Sequence, residues 1–272
     1  MKRTIKLLLY YFLYELGSFC FMMFVYALVN GLHSRAEGVE FSFPDSLSLP
    51  LTYTLIANVI GSSLYAFHLI SKHYVPVGRR TFSPYSPVLI ILVMVLAFST
   101  MVWTNYLTEL TQLPNDMEET FQQMGQNVWG VLSIVIIAPV LEELLFRGAI
   151  ESHLLQVWKN PWGGILVSAF IFGAIHGNPA QIPFAMLLGI LLGWLYYRTG
   201  SLILCMLFHF LNNATSVILM HLFPERATMQ ALLGDSAILW ASAATLILTA
   251  FSIWMIRQFT FPIRWEKEMK GK

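Results

Sequence analysis

The sequence predicts an all-α protein, a bundle of about eight helices that cross a membrane. Three observations predict this class: 57% of the residues are hydrophobic, 11% are charged, and long apolar segments follow one another from end to end. Because soluble domains carry about 25% charged residues, a chain with so few could not cover a soluble surface. The apolar excess therefore needs the lipid bilayer as its solvent, and no basic patch indicates a nucleic-acid partner.

Eight segments are candidate spans, since a bilayer core of about 30 Å takes about 20 helical residues. They cover residues 7–31, 50–71, 86–107, 128–149, 162–177, 182–198, 200–221 and 236–257. Proline and glycine lie in the breaks between them, and these residues end helices. The fifth and sixth segments are short, so either could be a re-entrant helix that does not cross the bilayer.

The distribution of lysine and arginine predicts the orientation, because both residues are enriched in cytoplasmic loops. With the N-terminus inside, all of the 16 basic residues except Arg35 and Arg226 fall on the cytoplasmic side. We therefore expect an integral, multi-pass protein with both termini in the cytoplasm. The basic N-terminal flank is typical of a bacterial plasma-membrane protein.

Ionisable residues inside the spans are informative, because a charge at mid-bilayer costs at least about 2.5–3.5 kcal/mol. In the first half of the chain they are Glu15 and His68, which we interpret as structural or as lining a polar cavity. In the second half, spans four, five and seven each carry polar residues at helical spacing. Four other histidines fall in loops or at span ends, where we assign them no role: His33, His73, His153 and His221.

Span four carries two adjacent carboxylates, Glu142 and Glu143, three and four residues after Pro139. Proline removes a backbone hydrogen bond and kinks a helix, which widens the space beside the carboxylates. Glu143 and Arg147 are four residues apart and can pair along one face. Glu142 is then the carboxylate without a local counter-charge, which suits a group that accepts a proton from water and returns it.

Spans five and seven each add a pair at i, i+4 spacing. Phe172 and His176 share one face, so the phenyl ring can pack against the imidazole. His209 and Asn213 share another face and can donate two hydrogen bonds to a common point. Two converging donors suit an oxyanion, whose charge develops in a transition state.

Each of these features has a simpler interpretation when taken alone. A single intramembrane histidine usually forms a hydrogen bond between helices, and Glu143 with Arg147 is by itself a structural ion pair. Three polar pairs on three spans in the same half of the chain are harder to explain separately. Their coincidence predicts one buried hydrolytic site.

Together these residues resemble a known family of intramembrane endopeptidases. It includes the CAAX prenyl proteases of the Ras-converting type and their bacterial relatives, grouped with bacteriocin-processing and abortive-infection proteins. The family pattern has three parts, and all three are present here in order. E-E-x-x-x-R matches Glu142, Glu143 and Arg147, F-x-x-x-H matches Phe172 and His176, and H-x-x-x-N matches His209 and Asn213.

The resemblance implies an eight-helix fold like that of the CAAX protease, with the site in a cavity within the membrane. It implies that Glu142 and His176 activate the attacking water and that His209 and Asn213 bind the carbonyl oxygen as it becomes anionic. Glu143, Arg147 and Phe172 would support the site.

The motifs lie within roughly residues 130–220 and divide the chain into three parts. Residues 1–110 form N-terminal spans without a motif. Residues 111–222 form the CAAX-protease-like catalytic core. Residues 223–272 form the last span and a basic cytoplasmic tail.

A metal ion is the main open question of mechanism. Glu142, His176 and His209 could bind Zn²⁺ and leave one position for water. No H-E-x-x-H motif is present, however, and a glutamate–histidine pair can activate water without metal. We therefore favour a glutamic mechanism without a cofactor, with zinc as the alternative.

Three other functions compete with an endopeptidase. The chain could be a non-catalytic peptide-binding or immunity protein of the same fold, or a proton-coupled transporter, since buried acids and histidines also serve proton relays. A cysteine mechanism could use Cys205, one turn before His209. We favour hydrolysis of a peptide or protein substrate reached from the membrane; nothing in the sequence indicates whether that substrate is prenylated.

The predicted spans raise one difficulty of depth. Glu142 lies about 14 residues, or about 21 Å, from the outer end of span four, whereas His176 ends span five near the outside. The two side chains can meet only if span five ends deep, or if the segment after Gly177 folds back into the membrane. Irregular backbone at that depth must line a cavity.

Overall fold

A computed structural model describes residues 2–38, 49–78, 80–83, 86–223, 229–263 and 265. Within these ranges all regular secondary structure is helical, which confirms the predicted all-α class. The helices are α1 (Lys2–Glu37), α2 (Leu51–Ser71), α3 (Pro87–Thr111), α4 (Glu118–Gly125), α5 (Val128–Val157), α6 (Pro161–Ala174), α7 (Ile182–Thr199), α8 (Leu202–Leu222), α9 (Met229–Leu233) and α10 (Asp235–Phe259).

Seven of the described helices, all except α4, α6 and α9, are long and apolar enough to cross a membrane. They correspond to seven of the eight predicted spans. The remaining predicted span, at residues 162–177, corresponds to α6. This helix has 14 residues and is about 21 Å long, which is less than the bilayer core of about 30 Å. The fifth predicted span is therefore a short helix, as its sequence length indicated.

The helices begin and end where the sequence places capping residues. Asn160 accepts a hydrogen bond from the backbone N–H of Trp162 and precedes Pro161, the first residue of α6. At the end of α7, Gly200 has a positive φ of 66°, which glycine adopts without strain. Ser201 then caps α8. These caps separate α5 from α6 and α7 from α8, and so they fix where the motif residues fall.

Helix α5 lies at the centre of the bundle. It contacts α1, α2, α6, α7 and α8, while α1 packs on α2, α6 packs on α7, and α3 packs on both α8 and α10. Many large apolar side chains of the outer helices are exposed, as expected for surfaces that face lipid. The helix that carries both glutamates of the first motif is thus enclosed by its neighbours.

Helix α5 has two π-helical segments, at Ser133–Ile137 and Leu144–Glu151, on either side of the α-helical turns Ala138–Glu143. In a π-helix a carbonyl accepts from the N–H five residues later, as Ser133 does from Ala138. The next carbonyl, that of Ile134, would pair with residue 139, a proline without an N–H. Pro139 therefore follows a widened turn and leaves one carbonyl without its helical partner.

Some predictions concern residues outside the described ranges. The basic tail at Lys267, Lys270 and Lys272 and the predicted outside residue Arg226 lie among them. The division of the chain into three parts and the orientation in the membrane stay predictions.

Candidate active site

Glu143 on α5 is the most enclosed carboxylate of the first motif, with no exposed surface. Its Oε1 accepts a hydrogen bond of 2.8 Å from Nη1 of Arg147, so the predicted i, i+4 pair is present. The same oxygen lies 3.0 Å from Nδ1 of His209 on α8. Glu143 therefore joins the first motif to the third, which the sequence did not predict.

Glu142 lies on the other side of His209. Its Oε2 is 3.7 Å from Nε2 of the imidazole, and its side chain is 23% exposed, whereas that of Glu143 is fully buried. Among the described residues Oε2 of Glu142 has no hydrogen-bond partner. His209 thus has one carboxylate beside each ring nitrogen, and Glu142 is the carboxylate without an arginine, as the spacing predicted.

Arg147 is 1% exposed, so its charge must be compensated within the protein. Besides the bond to Glu143, its Nη2 donates to the carbonyl of Gly189 on α7 at 3.2 Å. Its guanidinium carbon lies 4.6 Å from the ring centroid of Phe172, a cation–π contact. Arg147 therefore connects α5 to α6 through Phe172 and to α7 through Gly189, next to Glu143.

Phe172 on α6 connects the second motif to the others. Its ring centroid lies 5.0 Å from that of His176 and 5.9 Å from that of His209, in edge-to-face geometry. Since α6 ends at Ala174, its last turn packs beside Arg147 and His209. The short α6 thus accounts for the difficulty of depth, because His176 follows the end of a helix that stops at the level of the site.

The hydrogen bonds of the two imidazoles fix which nitrogen carries a proton. Nδ1 of His176 lies 2.8 Å from the carbonyl oxygen of Phe172, which can only accept. Nδ1 therefore donates, and in the neutral ring Nε2 is left as an acceptor. In His209 the carboxylate of Glu143 selects Nδ1 as donor in the same way. The Nε2 atom of each ring is the one available for chemistry.

Asn213 lies one turn after His209 on α8, and its Nδ2 donates a hydrogen bond of 2.9 Å to the carbonyl of Ile134. That carbonyl is the one that Pro139 leaves unpaired. The amide oxygen of Asn213 accepts from Asn212 at 3.2 Å. The structure therefore brings Asn213 onto the backbone of α5, and its predicted contact with an oxyanion stays a prediction.

The motif residues are joined to different degrees. Direct contacts link Glu142, Glu143, Arg147, Phe172 and His209. Within the described part of the chain, no hydrogen bond or ion pair joins Glu142 to His176, which reaches the group through the ring of Phe172.

Sequence reasoning missed Glu151, which is fully buried on α5. Neither of its carboxylate oxygens has a hydrogen-bond partner among the described residues. A Cβ added to Gly193 on α7 would lie 2.6 Å from its Oε2, so the carboxylate fills space that only glycine leaves open. The predicted span ended at residue 149, but α5 continues to Val157. The i, i+4, i+8 spacing of Glu143, Arg147 and Glu151 was the available signal.

The zinc alternative requires Glu142, His176 and His209 to converge on one point. In the described part of the chain, no three His, Cys, Asp or Glu side chains are grouped so that they could hold a metal ion. Glu142 and His209 supply two neighbouring donors, while His176 is connected to them only through the ring of Phe172. This arrangement does not fit the predicted zinc donor set, and we derive no step through a metal.

The fold and the site define a multi-pass helical membrane protein with a buried acid–histidine cluster. The sequence model of one family, described as Type II CAAX prenyl endopeptidase Rce1-like, matches residues 124–215. All residues of the three motifs lie inside this match. Over this segment, about a third of the chain, the protein is similar to this family of CAAX proteases, which supports an intramembrane endopeptidase at the level of the family. No curated protein and no solved structure matches the chain.

Proposed function

We propose that the protein is an intramembrane endopeptidase of glutamic type, in which Glu142 is the general base. The observation that carries the proposal is the contact of 3.7 Å between Oε2 of Glu142 and Nε2 of His209. It sets a carboxylate without an arginine partner beside an imidazole, in a partly exposed position within the helical bundle. A general base needs a carboxylate oxygen that no other group already engages, and among the described residues Oε2 of Glu142 has no hydrogen-bond partner.

In the first step Glu142 takes a proton from water, and the water oxygen bonds to the carbonyl carbon of the substrate. Nε2 of His176, the acceptor nitrogen of that ring, orients the second hydrogen of the water. The carbonyl π electrons move onto the carbonyl oxygen, which becomes an oxyanion. Holding water and substrate together in this way removes much of the entropic cost of the reaction.

His209 and Asn213 stabilise this oxyanion. Before Glu142 takes the proton of water, an imidazolium at His209 would lie between two carboxylates, Glu142 and Glu143, and with Arg147 the four charges would sum to zero. Its Nε2–H can then donate to the oxyanion. The amide of Asn213 has two N–H groups, so one can hold the carbonyl of Ile134 while the other donates to the substrate. Preoriented donors of this kind each contribute about 10²–10³-fold in rate.

In the last step the oxyanion collapses and the C–N bond breaks. The proton held on Glu142 passes to the leaving nitrogen, so the products are an amine and a carboxylic acid. Glu143, Arg147 and Phe172 take no part in proton transfer. They hold His209 and the end of α6 in register.

The proposal is tested with purified protein in liposomes and a library of membrane-inserted peptides, with cleavage read by mass spectrometry. We expect Glu142→Gln to abolish cleavage while the melting temperature stays near that of the unchanged protein. Cys205→Ser is the matched control, because Cys205 is buried on α8 and only donates weakly to the carbonyl of Leu192. Full cleavage by Glu142→Gln would overturn the proposal, and loss with Cys205→Ser would favour a cysteine mechanism.

We further infer that the substrate is a peptide or membrane-protein segment that enters from the bilayer, with both termini of the enzyme in the cytoplasm. The basic residues of the loops support this orientation. Comparing the peptides released from cells by the unchanged protein and by Glu142→Gln would identify the substrate. A cellular function that survived Glu142→Gln would instead indicate a non-catalytic peptide-binding or immunity protein.

A further inference from the structure

Helices α1 and α2 carry a polar chain that the proposed mechanism does not use. The Oε2 atom of Glu15 on α1 accepts a hydrogen bond of 3.1 Å from Nδ2 of Asn58 on α2. The Oδ1 atom of Asn58 accepts a hydrogen bond of 2.5 Å from the hydroxyl of Ser133 on α5. The other carboxylate oxygen of Glu15, Oε1, accepts a hydrogen bond of 2.8 Å from the hydroxyl of Ser62 on α2. One carboxylate therefore reaches α5 through a single amide.

Close packing holds Glu15 at this position. A Cβ added to Gly61 on α2 would lie 2.5 Å from Oγ of Ser18 and 3.2 Å from Cδ of Glu15. The missing side chain at Gly61 lets α1 and α2 approach each other here. Ser18, which is buried, also donates to the carbonyl of Glu15 at 2.9 Å. Hydrogen bonds thus hold both the backbone carbonyl and the side-chain carboxylate of Glu15.

The polar chain ends at the widened turn that precedes the catalytic glutamate. Ser133 is the first residue of the π-helical segment, and its carbonyl accepts from the N–H of Ala138. The following carbonyl, that of Ile134, is held by Asn213 from the opposite side. Asn58 of α2 and Asn213 of α8 therefore form hydrogen bonds with two consecutive residues of one turn, Ser133 and Ile134. The α-helical turns that begin at Ala138 carry Glu142, so its direction depends on the width of that turn.

The packing of the helices supports the same arrangement. Helix α1 contacts the π-helical segment Leu144–Glu151 of α5, and α2 contacts the segment Ser133–Ile137. Glu15 and Asn58 lie outside the segment 124–215 that matches the family, so this part of the structure is not described by that match.

We propose that Glu15 is a positioning residue for Glu142, acting through Asn58 and the hydroxyl of Ser133. This inference rests on the proposed function, in which Glu142 is the general base. In this proposal Glu15 takes no part in proton transfer. Its Oε2 atom orients the amide of Asn58, and the amide, through the hydroxyl of Ser133, sets the width of the turn that directs Glu142 toward His209.

The test exchanges the amide and the carboxylate. Asn58→Asp removes the donor and sets two carboxylates against each other, so we expect kcat to fall by about 10- to 100-fold, the scale of a misplaced catalytic group, with KM unchanged. Glu15→Gln/Asn58→Asp restores every hydrogen bond, because the new amide donates to the new carboxylate. We expect the double variant to regain kcat. A double variant no more active than Asn58→Asp would overturn the proposal.

Two further variants keep the test decisive if Asn58→Asp does not fold. Ser133→Ala breaks the link to α5 without adding charge, and it should lower kcat alone. Ser62→Ala is the matched control, because it removes an equivalent bond from Glu15 but leaves the link through Asn58 intact. It should keep kcat, and equal kcat for the two serine variants would overturn the proposal.

The results for Glu142→Gln and Ser133→Ala distinguish the two proposals. Loss of cleavage with Glu142→Gln but not with Ser133→Ala would reject the positioning role and leave the endopeptidase function standing. Cleavage by Glu142→Gln would reject the function itself.

Discussion

The side-chain amide of Asn213 donates a hydrogen bond of 2.9 Å to the carbonyl oxygen of Ile134. Pro139, five residues after Ile134, removes the N–H that a π-helical turn would supply to that oxygen. The side chain of Asn213, in the third motif, thus replaces the backbone hydrogen bond that Pro139, shortly before the first motif, cannot form. Asn213 has a structural task as well as its proposed catalytic one.

We expect the costs of changing Asn213 and Pro139 to be coupled. Asn213→Leu leaves the partly buried carbonyl of Ile134 without its partner and should lower the free energy of unfolding by about 1 kcal/mol, the lower end of the cost of an unsatisfied group. Pro139→Ala supplies the missing N–H, so Asn213→Leu should cost less in that background. Chemical unfolding of the four proteins of this double-mutant cycle measures the coupling. Additive costs would show that the amide does not substitute for the backbone bond.

The pair of Glu143 and Arg147 gives a second prediction, because both side chains are almost fully buried. Removing one partner leaves a buried charge without compensation, which costs about 3–5 kcal/mol. We expect Glu143→Gln and Arg147→Met each to destabilise the protein by about this amount, and the double variant by clearly less than the sum. The measurement is the free energy of unfolding in detergent. Equal, additive losses would mean that the two charges do not compensate each other.

The sequence predicted the parts of the site that depend on spacing along one helix. Glu143 and Arg147 pair because four residues make about one helical turn, and the spans were found because apolar length and prolines mark them. Contacts between helices were not accessible in this way. The link from Glu143 to His209 requires knowing that α8 packs on α5, and no side-chain pattern distinguishes π-helical Ser133–Ile137 from an α-helix.

Glu151 shows a different limit. The predicted span ends at residue 149, where the apolar run ends, so Glu151 falls outside it. In the structure α5 continues to Val157 and Glu151 is buried against α7 at Gly193. Burial of a carboxylate beyond an apolar run depends on the partner helix, which a single sequence does not identify.

Gly193 and Glu151 give a third prediction. Gly193→Ala should destabilise the protein by about 1–3 kcal/mol, because the new Cβ would lie 2.6 Å from Oε2 of Glu151. Glu151→Ala in the same chain removes that contact and should recover part of the loss. Gly31→Ala is the matched control, since nothing lies within 4 Å of a Cβ at that helical position. It should be neutral or stabilising, and melting temperatures of the four proteins provide the comparison.

A fourth prediction concerns the activity of the same variant. If the new Cβ of Gly193→Ala moves α7 away from α5, it also displaces Gly189, whose carbonyl accepts a hydrogen bond from Nη2 of Arg147 at 3.2 Å. We expect Gly193→Ala to lower kcat through this contact, and unchanged stability together with unchanged kcat would contradict both predictions.

The last prediction concerns metal dependence. The zinc hypothesis requires Glu142, His176 and His209 as ligands, yet among the described residues no three His, Cys, Asp or Glu side chains are grouped so that they could hold a metal ion. We expect full cleavage after exhaustive chelation, because water activation by Glu142 needs no Lewis acid. Metal content of the purified protein is measured in parallel. Zinc present in a one-to-one ratio, and lost in step with activity, would refute the glutamic mechanism, and recovery on adding zinc would identify the ion as the missing group.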